Sequence, residues 1–80
     1  MSDVVLFVTD GCYACRGVKA QLSRRKIPYE VINITGNFEK IEEFKAKNWV
    51  NMPILKVGED HFVGPTAALE RVRAFGNTNE

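Results

Sequence analysis

The chain has 80 residues, 45% of them apolar and 26% charged, with 11 basic residues against 10 acidic ones and a formal charge of +1. A chain of this length holds one modest core, so residues 1–80 read as a single domain whose site must lie on the surface of that core. The charge balance argues against nucleic acid or an anionic membrane as the main partner, and the composition against a disordered or collagen-like chain.

Val4 to Val8 is a continuous apolar run rich in β-branched and aromatic residues, which predicts a strand covered on both faces. It follows Asp3 with no basic leader and no small-residue cleavage site, so no signal peptide is expected. No apolar stretch approaches the roughly 20 residues that a bilayer-spanning helix needs. After the turn signal Asp10-Gly11, the residues Cys15, Val18 and Leu22 recur at helical spacing and predict a helix from about Cys12 to Arg25. Pro28 stops it, and Tyr29 to Ile34 reads as a second strand. Phe38, Ile41, Phe44, Lys45 and Asn48 mark one face of a second helix ending near Asn48, with Glu39 in its first turn and Lys45 and Lys47 in its last, as the helix dipole prefers.

Pro53 to Val57 reads as a third strand, Gly58-Glu59-Asp60 as a tight hairpin connection, and His61 to Val63 as its short partner. Beyond Gly64-Pro65-Thr66, the residues Ala67, Ala68, Leu69, Val72 and Phe75 give a third helical face. Gly76 is expected to close that helix as a C-cap and to leave a frayed tail from Asn77 to Glu80. The order β-α-β-α-β-β-α describes an α/β sandwich with a mixed sheet, its first two strands parallel through a right-handed crossover and its last two antiparallel.

Only two cysteines occur, three positions apart in Cys12-Tyr13-Ala14-Cys15, where the first strand gives way to the first helix. That pattern favours the reducing cytosol over a disulfide framework. A thiol at a helix start faces unsatisfied N–H groups and the positive end of the dipole, both of which favour thiolate, so Cys12 is the candidate nucleophile. Cys15, one turn further in, is more sheltered and is the candidate resolving thiol. Two reduced core cysteines are the plain structural alternative. A metal centre needs about four ligands, and the one histidine, His61, falls on a distant hairpin, so no metal site is expected within one chain.

Between Gly11 and Tyr29 there are five basic residues and no acidic one: Arg16, Lys19, Arg24, Arg25 and Lys26. Arg24, Arg25 and Lys26 read as the solvated end of a helix, whereas Arg16 is placed to steer an anionic thiol substrate. Asp10 acts in the opposite sense on the Cys12 thiol, and the net shift stays open. Trp49 reads as a packing residue and Phe62 as sheet core.

Val4 to Val8, then Thr9-Asp10-Gly11-Cys12-Tyr13-Ala14-Cys15, then Asn51-Met52-Pro53-Ile54, then Val63-Gly64-Pro65-Thr66, together resemble the glutaredoxin family of the thioredoxin fold over about residues 3 to 76. The likeness extends to the short glutaredoxin-like electron donors of ribonucleotide reductase in bacteria and phages. It implies a three-layer sandwich with sheet order 2-1-3-4, Cys12 attacking a substrate disulfide, Cys15 resolving it and Tyr13 lining the site. It also implies a cis Met52–Pro53 peptide and a glutathione groove formed by Asn51, Met52, Gly64, Pro65 and Thr66. The expected protein is a cytoplasmic, monomeric thiol–disulfide oxidoreductase with no bound cofactor, acting on a disulfide-bearing protein such as ribonucleotide reductase with glutathione as co-substrate. Glutathione-dependent members usually carry Cys-Pro-Tyr-Cys, a basic residue shortly before the first cysteine, and Gly-Gly followed by an acidic residue near the last helix. Cys-Tyr-Ala-Cys, Asp10 and Gly64-Pro65-Thr66 stand here instead, which leaves thioredoxin reductase as the alternative reductant. A non-catalytic module of the same fold, binding a partner or carrying an iron–sulfur cluster, is the competing class.

Overall fold

Successive side chains of a strand point to opposite faces, so an unbroken apolar run needs cover on both sides. In a computed structural model that describes residues 3–78, β1 (Val4–Val8) sends Val4, Leu6 and Val8 into one apolar layer and Phe7 into another, all four of them buried. Met1, Ser2, Asn79 and Glu80 lie outside the described residues. β1 is an inner strand of a four-stranded sheet ordered β2-β1-β3-β4. β2 (Glu30–Asn33) runs parallel to it with Val8 opposite Asn33, and β3 (Ile54–Val57) runs antiparallel with Leu6 opposite Leu55. β4 (Asp60–Val63) returns antiparallel to β3 with Ile54 opposite Val63. The sheet order is the one the family resemblance implies, and the parallel first pair and antiparallel last pair are those expected from the order of elements.

On one face, α1 (Tyr13–Arg24) supplies Cys15, Val18 and Leu22 and α3 (Pro65–Thr78) supplies Ala68 and Val72 to the layer that holds Leu6 and Leu55. On the other, α2 (Phe38–Ala46) lays Phe44 against Phe7, the rings edge to face with centroids 5.2 Å apart, beside Ile34 and Ile54. Asn37 caps α2 by accepting the Lys40 N–H at 3.1 Å. The helix stops because Asn48 takes a left-handed φ of 63°, which asparagine tolerates better than most, and turns the Trp49 N–H back onto the Phe44 carbonyl at 2.8 Å. Trp49 then packs on Phe44 and on the His61 ring, which confirms it as a packing residue.

Three expectations change. Phe38 is not on the packed face of α2 but is 77% exposed, because it sits in the first turn at the edge of an apolar stripe centred on Ile41 and Phe44. The hairpin connection is the pair Gly58-Glu59, and Asp60 already pairs with Val57. Gly76 does not cap α3: the helical backbone runs through it to include Asn77 and Thr78, since a glycine inside a helix costs only about 0.5–1 kcal/mol against alanine. The remainder of the tail that was expected to fray, Asn79 and Glu80, lies outside the described residues.

Leu22→Ala empties a fully enclosed position between α1 and the sheet and is expected to cost about 2–5 kcal/mol in denaturant unfolding, whereas Phe38→Ala should stay within about 0.5 kcal/mol. His61 is held below its ordinary pKa of 6.5, first by partial burial and then by the Lys56 and Lys47 charges. Its neutral form is therefore favoured in the folded chain, so its contribution to stability is present above 6.5 and is lost as pH falls through the lowered folded value. A ring titration followed by NMR with a midpoint under 6.5 is the expected result.

Candidate functional site

The end of β1 leads through Thr9 and Asp10 to Gly11, whose φ of 74° makes the turn that a side chain would resist, and then into α1. Cys12 is the N-cap of that helix, with extended backbone (φ −79°, ψ 105°) and its own N–H donating to the Thr9 carbonyl at 3.3 Å. The Cys12 Sγ accepts the Cys15 N–H at 3.2 Å, the place a serine or aspartate oxygen takes in an ordinary cap. The first turn holds no acidic residue, so when the pair is reduced the sulfur faces the positive end of the helix without a competing carboxylate on α1. Cys12 and Cys15 are joined in a disulfide with Cα atoms 5.3 Å apart. Cys12 is half-buried and Cys15 only 2% exposed. One sulfur is thus within reach of an incoming disulfide and the other is sheltered behind it.

The Met52–Pro53 peptide bond is cis, in agreement with the family resemblance. Gly64 donates its N–H to the Pro53 carbonyl at 3.0 Å, and a Cβ added at Gly64 would stand 3.5 Å from that of Asn51, so the two loops lie against each other. Asn51, Met52, Pro53, Gly64 and Pro65 therefore gather at one end of the sheet. Pro53 and Gly64 are buried there, while Asn51 and Thr66 face solvent. Met52 and Cys12 both pack against the layer beneath α1 and α3. Tyr13 is 86% exposed, with the Arg16 guanidinium 5.8 Å from its ring centroid. Arg24 and Lys26 sit exposed at the far end of α1, away from the thiols.

Two hollows adjoin the site. One, of about 190 Å³, is polar and is lined by Asp10, Cys12, Cys15, Arg16, Lys19 and Asn33 among others. The other, of about 280 Å³, is largely apolar and runs from Thr9 past Ile34, Ile41 and Phe44 to Trp49 and Met52. Asn33 and Thr35 escaped the sequence reading. The Asn33 Nδ2 donates to Asp10 Oδ1 at 2.8 Å, the Asp10 N–H donates to Thr35 Oγ1 at 2.7 Å, and the Thr35 N–H donates to Asn33 Oδ1 at 2.8 Å. The available signal was that parallel strands finish side by side, which sets the residues after β2 next to those after β1. Among the described residues no group of three or more His, Cys, Asp or Glu side chains could hold a metal ion, and no helix is long and apolar enough to cross a membrane.

A mixed sheet of order β2-β1-β3-β4, helices on both faces and a Cys-x-x-Cys pair at the first helix start define a thioredoxin-fold protein of thiol–disulfide oxidoreductase type. The glutaredoxin family profile matches residues 4–62, and the chain belongs to that family. No curated protein matches it significantly. Among solved structures it is similar to the glutaredoxin-like NrdH-redoxin of Escherichia coli, a protein with a thioredoxin-like activity profile, at 18% identity and a TM-score of 0.77 over 89% of this chain and 91% of that one. It is also similar to the glutaredoxin of Brucella melitensis, at 25% identity and 0.76 over 99% and 86% of the two chains. Glutaredoxin 1 of Francisella tularensis, solved with cacodylate, gives 16% identity and 0.75 over 92% and 95%.

With the disulfide reduced, alkylation rate against pH is expected to show a Cys12 midpoint below the free-thiol value of about 8.5, with Cys15 far slower. A midpoint at or above that value would mean that burial or Asp10 outweighs the helix start.

Proposed function

We propose that this protein reduces protein disulfides through the Cys12–Cys15 dithiol and serves as an electron donor to ribonucleotide reductase. The observation that carries the reading is the pairing of a half-buried sulfur capping α1 with an enclosed sulfur one turn behind it, close enough to share a disulfide. The Cys12 thiolate attacks a substrate disulfide, forms a mixed disulfide and releases the first substrate thiolate. Cys15, as thiolate, then attacks the Cys12 sulfur. The Cys12–Cys15 bond forms, the bond to the substrate breaks, and its electron pair leaves on the second substrate thiolate. Two electrons pass from the dithiol to the substrate, and the disulfide-bonded form described above is the oxidised product.

Around this pair, Tyr13 and Arg16 present a ring and a cation to the approaching substrate. Asn51, Met52 and Pro53, with Gly64, Pro65 and Thr66, form the wall against which the chain or thiol flanking the substrate sulfur rests. The apolar hollow that Met52 shares with Trp49 suits the side chains of a protein partner. The dithiol is regenerated by glutathione or by thioredoxin reductase, in the cytoplasm, by a monomer with no bound cofactor.

Parallel NADPH-coupled assays, one with glutathione and its reductase and one with thioredoxin reductase, identify the reductant, and disulfide reduction in neither would refute the proposal. Cys12→Ser should abolish turnover, whereas Cys15→Ser should accumulate a mixed disulfide with the substrate protein, visible by mass. Equal trapping by both variants would contradict the division of roles.

A further inference from the structure

Cys15 is enclosed in the apolar layer with Val18, Ala68 and Val72, and with Cys12 it lines the polar hollow of about 190 Å³. A thiol in such surroundings keeps its proton, because burial disfavours the thiolate, yet the thiolate is the form that attacks a disulfide. Resolution therefore needs a destination for that proton. The charged groups on the wall of the hollow are Asp10, from the loop after β1, and Arg16 and Lys19, from α1. β2 contributes the neutral Asn33, and α3 presents Ala68 and Val72 to the same layer as Cys15. The hollow is roomy enough to hold water molecules between these walls.

The Asp10 carboxylate is held in place. Asn33, at the end of β2, donates to its Oδ1, Thr35 in the loop that follows accepts the Asp10 backbone N–H, and the Thr35 N–H in turn donates to Asn33 Oδ1, so two residues orient one exposed acid. Ordering an exposed side chain has an entropic cost, and the packing of the fold does not require this one. On the reading that Cys15 resolves the mixed disulfide, we infer that Asp10 is the proton acceptor of that step and that Asn33 is its positioning residue. The Cys15 S–H bond breaks and its proton passes across the hollow to the Asp10 carboxylate. The Cys15 sulfur forms its bond to Cys12, and the substrate sulfur leaves with the electron pair and is protonated by solvent. In the reverse direction, when a reductant attacks Cys12, the departing Cys15 thiolate takes the proton back. Arg16 and Lys19 favour the thiolate by their charge but accept no proton.

Charge alone and proton acceptance predict opposite outcomes for Asp10→Asn. Removing a negative charge from a wall that keeps two positive ones stabilises both thiolates and speeds both steps, whereas removing the acceptor slows resolution. The reduced protein is mixed with an aromatic nitrobenzoate disulfide that releases a coloured thiolate twice: once on attack by Cys12, at a rate set by reagent concentration, and once on attack by Cys15, at a rate independent of it. For Asp10→Asn the reagent-independent phase should slow by at least about tenfold near neutral pH and its pH profile should move upward, while the reagent-dependent phase is not slowed. Asn33→Ala should slow the same phase by a smaller factor, and Asp10→Glu should recover part of the rate. Those two variants carry the comparison where Asp10→Asn loses its thermal unfolding transition. A reagent-independent phase that is unchanged or faster in the Asp10 and Asn33 variants overturns the inference. Absence of that phase from the unsubstituted protein overturns the resolving role of Cys15 itself, and with it the proposed function.

Discussion

The burial of β1 on both faces is the constraint from which the arrangement follows. Leu6 and Phe7 are neighbours in sequence, yet each is enclosed in a different layer, so helices must lie on both sides of the sheet. A parallel β1–α1–β2 unit places α1 on one side, and α2 is then the cover that remains for Phe7. Strand direction does the rest. β1 and β2 finish at the same edge of the sheet, β3 starts there because it runs antiparallel to β1, and β4 returns to it. Cys12, the end of β2 at Asn33 with Thr35 just beyond it, the Met52–Pro53 peptide and Gly64 are consequently brought to one edge although they are spread over more than half the chain.

The two sulfurs differ because α1 treats them differently. Cys12 stands where a capping residue stands, and its sulfur accepts the Cys15 N–H of the first turn. Cys15 is already on the buried stripe with Val18 and Leu22, facing α3 and the sheet. Three positions along a helix are therefore enough to separate an accessible sulfur from an enclosed one while keeping them within bonding range. An enclosed sulfur gains protection from stray reagents and loses easy exchange of its proton with solvent, and the polar hollow that Cys12 and Cys15 both line lies beside it.

Much of this was legible in order along the chain. The unbroken apolar run of β1, the helical spacing of Cys15, Val18 and Leu22, and the Cys-x-x-Cys at a strand-to-helix turn are local patterns, and each corresponds to an element or a site feature in the structure. Phe38 misled because a periodic apolar residue in the first turn of a nine-residue helix can fall at the rim of the stripe, and only the tilt of that helix on the sheet decides whether it is covered. Gly76 misled because a glycine ends a helix only where the following chain turns away.

Periodicity and neighbours a few positions apart are enough to set the elements, their order, the two-sided burial of β1 and the placing of a Cys-x-x-Cys pair at a helix start. Which distant segments meet depends instead on how the sheet is assembled. Asn33 and Asp10 are 23 positions apart and carry no pattern that links them. Their hydrogen bond exists because parallel pairing with Val8 opposite Asn33 ends both strands at one level, which sets the end of β2 beside the loop after β1 at the same hollow. Contacts of that kind are fixed by strand register and layer packing, which are properties of the whole sheet and not of any stretch of residues within it.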